Sequence, residues 1–250
     1  MHRILLYKTG ETDPNLVPHI GDYERWFSRV LGDDYALEVH CAFDKPQHQL
    51  TGYDGMVITG SPRSLVEPEP WMEDAAAFVR DADAAGVPVL GVCFGHQLVG
   101  YAFGGQVRTN PNGWEVGTVD VELTDEGASD PLFAGLPRRL RVNQSHRDEV
   151  GTLGPATRVL AAGAHTPHQA IAVGDHVRGV QFHPEMNAPV IQRIIAHRRM
   201  ILRDDADRRC RAGYCVDRLI AGAVDTPDAE RVLTNFVEHF VRRANGSRAA

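Results

Sequence analysis

Val87-Pro88-Val89-Leu90-Gly91-Val92-Cys93-Phe94-Gly95-His96-Gln97 is a short apolar run ending on a cysteine gripped between two glycines. The run reads as a buried strand and the residues after Cys93 open a helix, the form of a sharp strand-to-helix turn that pushes its apex side chain into the open. Glycines at 91 and 95 fit that form. The apex sits in poor backbone geometry, and its neighbours must be nearly bare for strand and helix to approach. The helix then starts at the sulfur, where free backbone N–H groups and the positive dipole end favour thiolate over thiol. A second stretch, Gln181-Phe182-His183-Pro184-Glu185, supplies what a nucleophilic cysteine needs. His183 can serve as base, Glu185 can hold the imidazole by its other nitrogen, and Pro184 stiffens the pair. Thr59-Gly60-Ser61-Pro62 offers one backbone donor, at Gly60 or Ser61, and the N–H of Phe94 offers another. Both would face an oxygen that turns negative when the thiolate attacks a carbonyl.

Outward from this turn, short apolar runs alternate with helical patterns, which predicts an α/β fold: a doubly wound, mostly parallel sheet flanked by helices. Strands are expected at 3 to 8, 36 to 41, 55 to 59 and 87 to 92, with helices near 20 to 31, 71 to 85 and 95 to 103. From about 106 the segments shorten to a mixed region with strands at 116 to 123, 139 to 143, 158 to 163, 169 to 173 and 177 to 182, and a tight turn at Gly174-Asp175. After Pro189 the pattern is helical, near 189 to 203, 206 to 222 and 227 to 244, with Thr226-Pro227 as an N-cap and first turn and a frayed tail from Asn245 to Ala250. Residues 1 to 250 read as one domain, with 190 to 245 a C-terminal helical extension of it. Catalytic chemistry in such a sheet belongs at the carboxyl ends of the strands, where Cys93, the loop after Thr59 and His183 all fall.

Composition narrows the function classes. With 250 residues, 43% hydrophobic and 24% charged, the chain has the make-up of an ordinary globular protein. A formal charge of −7 without a basic stripe argues against nucleic acid as a partner, and the clusters His197-Arg198-Arg199 and Arg208-Arg209 read as solvated helix faces. No stretch suits a membrane span and no signal-peptide pattern precedes the first strand, so a cytoplasmic setting is expected. Cys41, Cys93, Cys210 and Cys215 are too scattered for a disulfide framework.

Gly-Val-Cys-Phe-Gly-His-Gln, Gln-Phe-His-Pro-Glu and Thr-Gly-Ser-Pro, in this order and spacing, resemble the class I glutamine amidotransferases, the Cys-His-Glu glutaminases of flavodoxin-like fold. The resemblance covers roughly residues 1 to 190 plus a terminal helix. It implies that Cys93, His183 and Glu185 are the catalytic triad, that Gly60, Ser61 and Phe94 form the oxyanion hole, and that Cys93 forms a γ-glutamyl thioester which water releases as glutamate. Ser145-His146-Arg147-Asp148 is similar to the Ser-His-Gly-Asp stretch of the GMP synthetase glutaminase domain, which implies substrate-binding roles for Gln97, Ser145, His146 and Arg147. Two departures alter the pocket's edge: Arg147 stands where that domain has Gly, and Gly60-Ser61-Pro62 replaces Gly-Gly-Pro. The long cation at 147 could narrow the site or recruit a carboxylate. In these features the chain is similar to the stand-alone GMP-synthetase-like members, a group that includes γ-glutamyl peptidases acting on glutathione-type conjugates.

Three readings follow: a glutaminase handing ammonia to a separate synthase, a self-sufficient hydrolase of γ-glutamyl peptides or conjugates, and a non-catalytic binding protein. No cofactor or metal is expected. His165 with His168, and Cys210 with Cys215, lack further ligands at metal-site spacing. His146 is open between a substrate contact and a structural histidine, and His96 reads as packing. Trp26, Phe27, Trp71 and Phe78 read as core or interface aromatics. The stretch from about 190 to 225 could be a homodimer surface, a lid over the site or the docking face for a synthase, and its mixed charge does not choose.

Overall fold

The structure, a computed structural model, describes residues 2–44, 49–210 and 213–242. The chain runs through β1 (His2–Lys8), α1 (Val17–Ile20), α2 (Tyr23–Leu31), β2 (Tyr35–Cys41), β3 (Gly55–Ile58), α3 (Pro70–Ala84), β4 (Val89–Val92) and α4 (Phe94–Ala102). It continues through β5 (Gln106–Thr109), β6 (Glu115–Leu123), α5 (Asp125–Ser129), β7 (Arg139–His146), β8 (Asp148–Thr152), β9 (Thr157–Ala162), β10 (Ala170–Val173) and β11 (Val177–Val180). The C-terminal part holds α6 (Ala188–His197), α7 (Arg199–Arg208), α8 (Val216–Gly222) and α9 (Pro227–Phe236), the last prolonged by the π-helical turn Val237–Val241.

A nine-stranded sheet in the order β2-β1-β3-β4-β11-β10-β9-β6-β7 forms the centre. Strands β2 to β11 of that order pair in parallel, and the remaining pairs are antiparallel. Strand β4 lies between β3 and β11 with every residue buried, which is why its sequence is a continuous apolar run rather than an alternation. Each face of the sheet buries a separate apolar layer. Trp26 and Phe27 of α2, Ile191 and Ile195 of α6 and Phe236 of α9 cover one face. Met72 and Phe78 of α3 with Leu98 and Val99 of α4 cover the other. Helices on both faces of a sheet with a parallel half are the doubly wound arrangement expected from the sequence.

Several boundaries differ from expectation for local reasons. The helix expected at 20 to 31 breaks at Gly21 (φ 77°), and α2 restarts on Asp22, whose carboxylate accepts from the Tyr23 N–H. The helix expected at 189 to 203 breaks at Arg198, which ends α6 and precedes α7. Instead of one helix over 206 to 222, α7 ends at Arg208 and α8 begins at Val216, with left-handed backbone at Cys210 and Gly213 between them; positions 211 and 212 lie outside the described residues. So do the last two positions of the 227 to 244 helix and the tail Asn245 to Ala250. Thr226 takes the N-cap position of α9, but its hydroxyl makes no cap bond there. Strands β5 and β8, absent from the sequence reading, pair with each other in a small second sheet. Strand β7 runs three residues past its expected end, to His146. Among the described residues no helix is long and apolar enough to cross a membrane.

Candidate active site

The parallel pairing of β4 with β11 creates the site. Val180 lies opposite Val92, and the Cys93 N–H extends the ladder by donating to the Val180 carbonyl at 2.8 Å. The two chains leave the sheet edge side by side, one turning into α4 and the other into His183. Cys93 is held at φ 54° and ψ −101°, a conformation that costs a non-glycine residue about 1–3 kcal/mol and survives only where its surroundings enforce it. The glycines do the enforcing. A Cβ at Gly91 would stand 2.2 Å from the Gly95 carbonyl oxygen, and one at Gly95 would stand 2.6 Å from the Ile58 carbonyl oxygen. Phe94 opens α4, so its N–H belongs to the first turn, which has no intrahelical acceptor.

His183 is almost fully buried, and its Nδ1 lies 2.7 Å from Oε1 of the buried Glu185. The imidazole also hydrogen-bonds the Cys93 side chain. Burial works against a charged imidazole, but the facing charges of Glu185 and Cys93 outweigh it and push His183 up to about 10. The main chain is equally fixed: the His183 N–H donates to the Asn143 carbonyl, and the Asn143 amide donates to the carbonyls of Met186 and Val224. Arg29 bridges the Glu185 carbonyl to the Glu230 carboxylate on α9.

The loop after β3 packs against this pair. A Cβ at Gly60 would stand 3.0 Å from Cε1 of His183 and 3.2 Å from the Tyr23 hydroxyl, so the backbone passes between the two rings. The Thr9 hydroxyl is within bonding distance of the Thr59 and Gly60 carbonyls, and the Ser61 hydroxyl donates to the Thr9 carbonyl at 2.8 Å. These bonds set the orientation of the peptide planes at 59 to 61. Tyr23 was not singled out from the sequence. Burial first, then the charges of Cys93 and Glu185, raise its phenol above the ordinary value, which keeps it a neutral donor.

Two cavities meet at Cys93. The smaller, about 230 Å³, is bordered by Phe94, Gln97, Trp114, His146, Arg147 and Asp148. The larger, about 440 Å³, is bordered by the loop from Gly10 to Pro14 and by Leu16, Tyr23, Trp26, Met186, Ile194 and Ile201 among others. Ser61, Ser145 and Arg198 border both. The Gln97 amide donates to the Asp148 carbonyl at 2.8 Å and to Gln181 at 3.2 Å, which fixes its orientation. His146 has both ring nitrogens engaged, Nδ1 with the Asp148 carbonyl and Nε2 with Glu115, each at 3.0 Å. Burial alone would raise Glu115, but the hydrogen bond and charge of His146 hold it below the ordinary carboxylate range. His146 therefore braces the end of β7 through the wall behind the smaller cavity. Arg147 is half exposed, near Asp148 and the Thr109 hydroxyl.

Arg198 corrects the reading of His197-Arg198-Arg199 as a solvated face. His197 and Arg199 do form outward ion pairs, with Asp13 and Asp217. Arg198 turns inward at the break between α6 and α7, donates to the Ser145 hydroxyl and carbonyl, and lies 5.1 Å over the Trp114 ring. Burial pulls its guanidinium down from the ordinary value, opposed by Tyr23 and Cys93, yet an arginine keeps its charge through such a shift. Nothing in the local pattern marked this residue, because its direction is set by where two helices meet. Among the described residues no group of three or more potential metal ligands is present.

The class I glutamine amidotransferase family model matches residues 33–197. Among curated relatives, one of the separately encoded subunits of the glutamine-hydrolysing GMP synthase of Saccharolobus solfataricus is 36% identical over 143 residues, 57% of this chain and 72% of that protein. GMP synthase of Thermomicrobium roseum is 40% identical over 132 residues, 53% of this chain but 23% of that longer protein. The chain thus spans about a quarter of that relative, and 58% of the corresponding GMP synthase subunit of Thermococcus kodakarensis. The crystal structure of a glutamine amidotransferase from Thermotoga maritima superposes with a TM-score of 0.72 at 21% identity, covering 96% of this chain and 98% of that one, which supports the same fold. With the family match spanning most of the sheet and its elbow, the chain belongs to the class I glutamine amidotransferases.

Proposed function

We propose that this protein hydrolyses the γ-glutamyl amide of glutamine through a thioester on Cys93. The observation that carries the reading is His183, hydrogen-bonded on one side to the buried Glu185 and on the other to the cysteine at the strained turn. The Cys93 thiolate attacks the amide carbon, and the developing oxyanion meets the N–H of Phe94 and that of Gly60 or Ser61. The C–N bond breaks as His183 gives its proton to the leaving nitrogen, and ammonia departs. Water, deprotonated by His183, then attacks the thioester and releases glutamate and the thiolate. Gln97, Ser145 and Arg147 would hold the glutamyl head group in the smaller cavity. His146 would act indirectly, through the position of Asp148.

In this reading ammonia passes to a separate synthase, as the naming of the relatives as synthase subunits suggests, in a cytoplasmic setting. The helices after 190 belong to the same functional unit, because Ile194, Arg198 and Ile201 border a cavity at Cys93. The test is glutamate release from glutamine by the purified protein, with Cys93→Ala as control. Release that persists in the variant would remove the reading. A second reading, hydrolysis of γ-glutamyl peptides or conjugates, is favoured by one observation, the size of the larger cavity.

A further inference from the structure

We propose that the larger cavity is a leaving-group subsite shaped for γ-glutamyl amides of amino acids with apolar side chains, a proposal that rests on the thioester reading above. Ammonia is about the size of a water molecule, whose share of liquid volume is roughly 30 Å³. The cavity of about 440 Å³ is instead of a size that holds a small organic ligand. Leu16, Trp26, Met186 and Ile194 supply an apolar lining. Arg198 supplies the polar anchor. The other cations on this cavity are already matched to acids, Arg63 to Glu69 and His197 to Asp13. Arg198 is bonded to the neutral Ser145 and stacked on Trp114, with no carboxylate within ion-pair distance among the described residues. A partly desolvated guanidinium with neutral partners gains most from an incoming carboxylate, which it can grip with two parallel bonds. An amino acid joined through its nitrogen to a γ-glutamyl group presents that pairing: its side chain to the apolar lining, its carboxylate to Arg198, and its nitrogen at Cys93.

The chemistry balances with water as sole co-reactant. The thiolate forms a C–S bond as the C–N bond breaks, the amino acid nitrogen leaves with the proton from His183, and water cleaves the thioester to return the thiolate and glutamate. Helices α6 and α7 then close the leaving-group side of the site.

The experiment compares kcat/KM for glutamate release from glutamine, γ-glutamyl-leucine, γ-glutamyl-phenylalanine and γ-glutamyl-phenethylamide, which lacks the carboxylate. Both dipeptides should exceed glutamine by about tenfold or more, and loss of the carboxylate should cost about tenfold, the scale of one charge-assisted contact. Arg198→Met should erase the difference between γ-glutamyl-phenylalanine and the phenethylamide. Ile201 is half exposed on the cavity's border, so Ile201→Trp should fold even if Arg198→Met does not, and should lower the ratio of dipeptide to glutamine turnover. Glutamine turned over as fast as or faster than every larger amide, with activity lost in Cys93→Ala, would overturn the subsite and leave the thioester standing. Release of glutamate from none of the four would overturn both.

Discussion

The elbow at the end of β4 and the wall formed by α6 and α7 border the same cysteine but are built in opposite ways. The elbow is local: a buried strand, a strained apex and two glycines whose absent side chains let α4 approach β3 and β4. The wall is tertiary, with Arg198 reaching Ser145 on β7 and Trp114 just before β6 across large sequence separations. Reaction chemistry is thus encoded in a few adjacent residues, whereas the shape presented to the departing group depends on how distant helices dock. Substitutions in the two regions should fail differently, the elbow losing turnover or fold and the wall losing discrimination.

The sharpest way to break this contrast is Cys93→Ala. Glutamate release should drop by roughly 10³-fold or more, the scale seen when a covalent nucleophile is removed, with the melting temperature unchanged. His183→Ala should come next. Glu185→Gln should be milder, about 10²- to 10⁴-fold, because it removes an orienting charge rather than the base. It should also reshape the pH profile. His183 is raised to about 10 against burial by Glu185 and Cys93, so the imidazolium needed as proton donor persists into alkaline solution. Without the Glu185 charge the alkaline limb of kcat/KM should move to lower pH, and an unmoved limb would mean that another group sets it. The same sign governs stability: the contribution of charged His183 is complete below its unfolded value near 6.5 and is lost as pH rises through about 10. Wild-type protein should therefore lose more stability than Glu185→Gln between these limits in denaturant titrations.

Gly91→Ala sharpens the other side of the comparison. A methyl group 2.2 Å from the Gly95 carbonyl forces backbone movement, so a loss of about 1–3 kcal/mol or more is expected in denaturant unfolding. An unchanged midpoint would show that the elbow is not enforced by close approach. The smallest effect should come from Arg147→Ala. This residue is half exposed beside Asp148, and a rise of about fivefold in the KM for glutamine, roughly 1 kcal/mol, is expected with little change in kcat.

The legibility of the molecule follows the same division. The parallel half was readable because β1, β3 and β4 are uninterrupted apolar runs, and the elbow because a cysteine between glycines after such a run has few other uses. The small β5–β8 sheet was not, since each strand is short and its pairing is non-local. The breaks at Gly21 and Arg198 fell inside otherwise helical patterns, where an Asx cap and a change of packing partner outweigh periodicity. His146 could be read two ways until Glu115, over thirty residues earlier in the chain, was seen on its ring. Arg198 and Tyr23 gave no signal at all, because an inward arginine and an outward one have the same neighbours in sequence.

The most direct measurement mixes the protein with glutamine, quenches it in acid during turnover, and maps any γ-glutamyl adduct by mass spectrometry. The account predicts an adduct on Cys93 that decays as glutamate appears and is absent from Cys93→Ala. Turnover with no adduct when hydrolysis is slowed, or an adduct on Cys41, Cys210 or Cys215 instead, would contradict it.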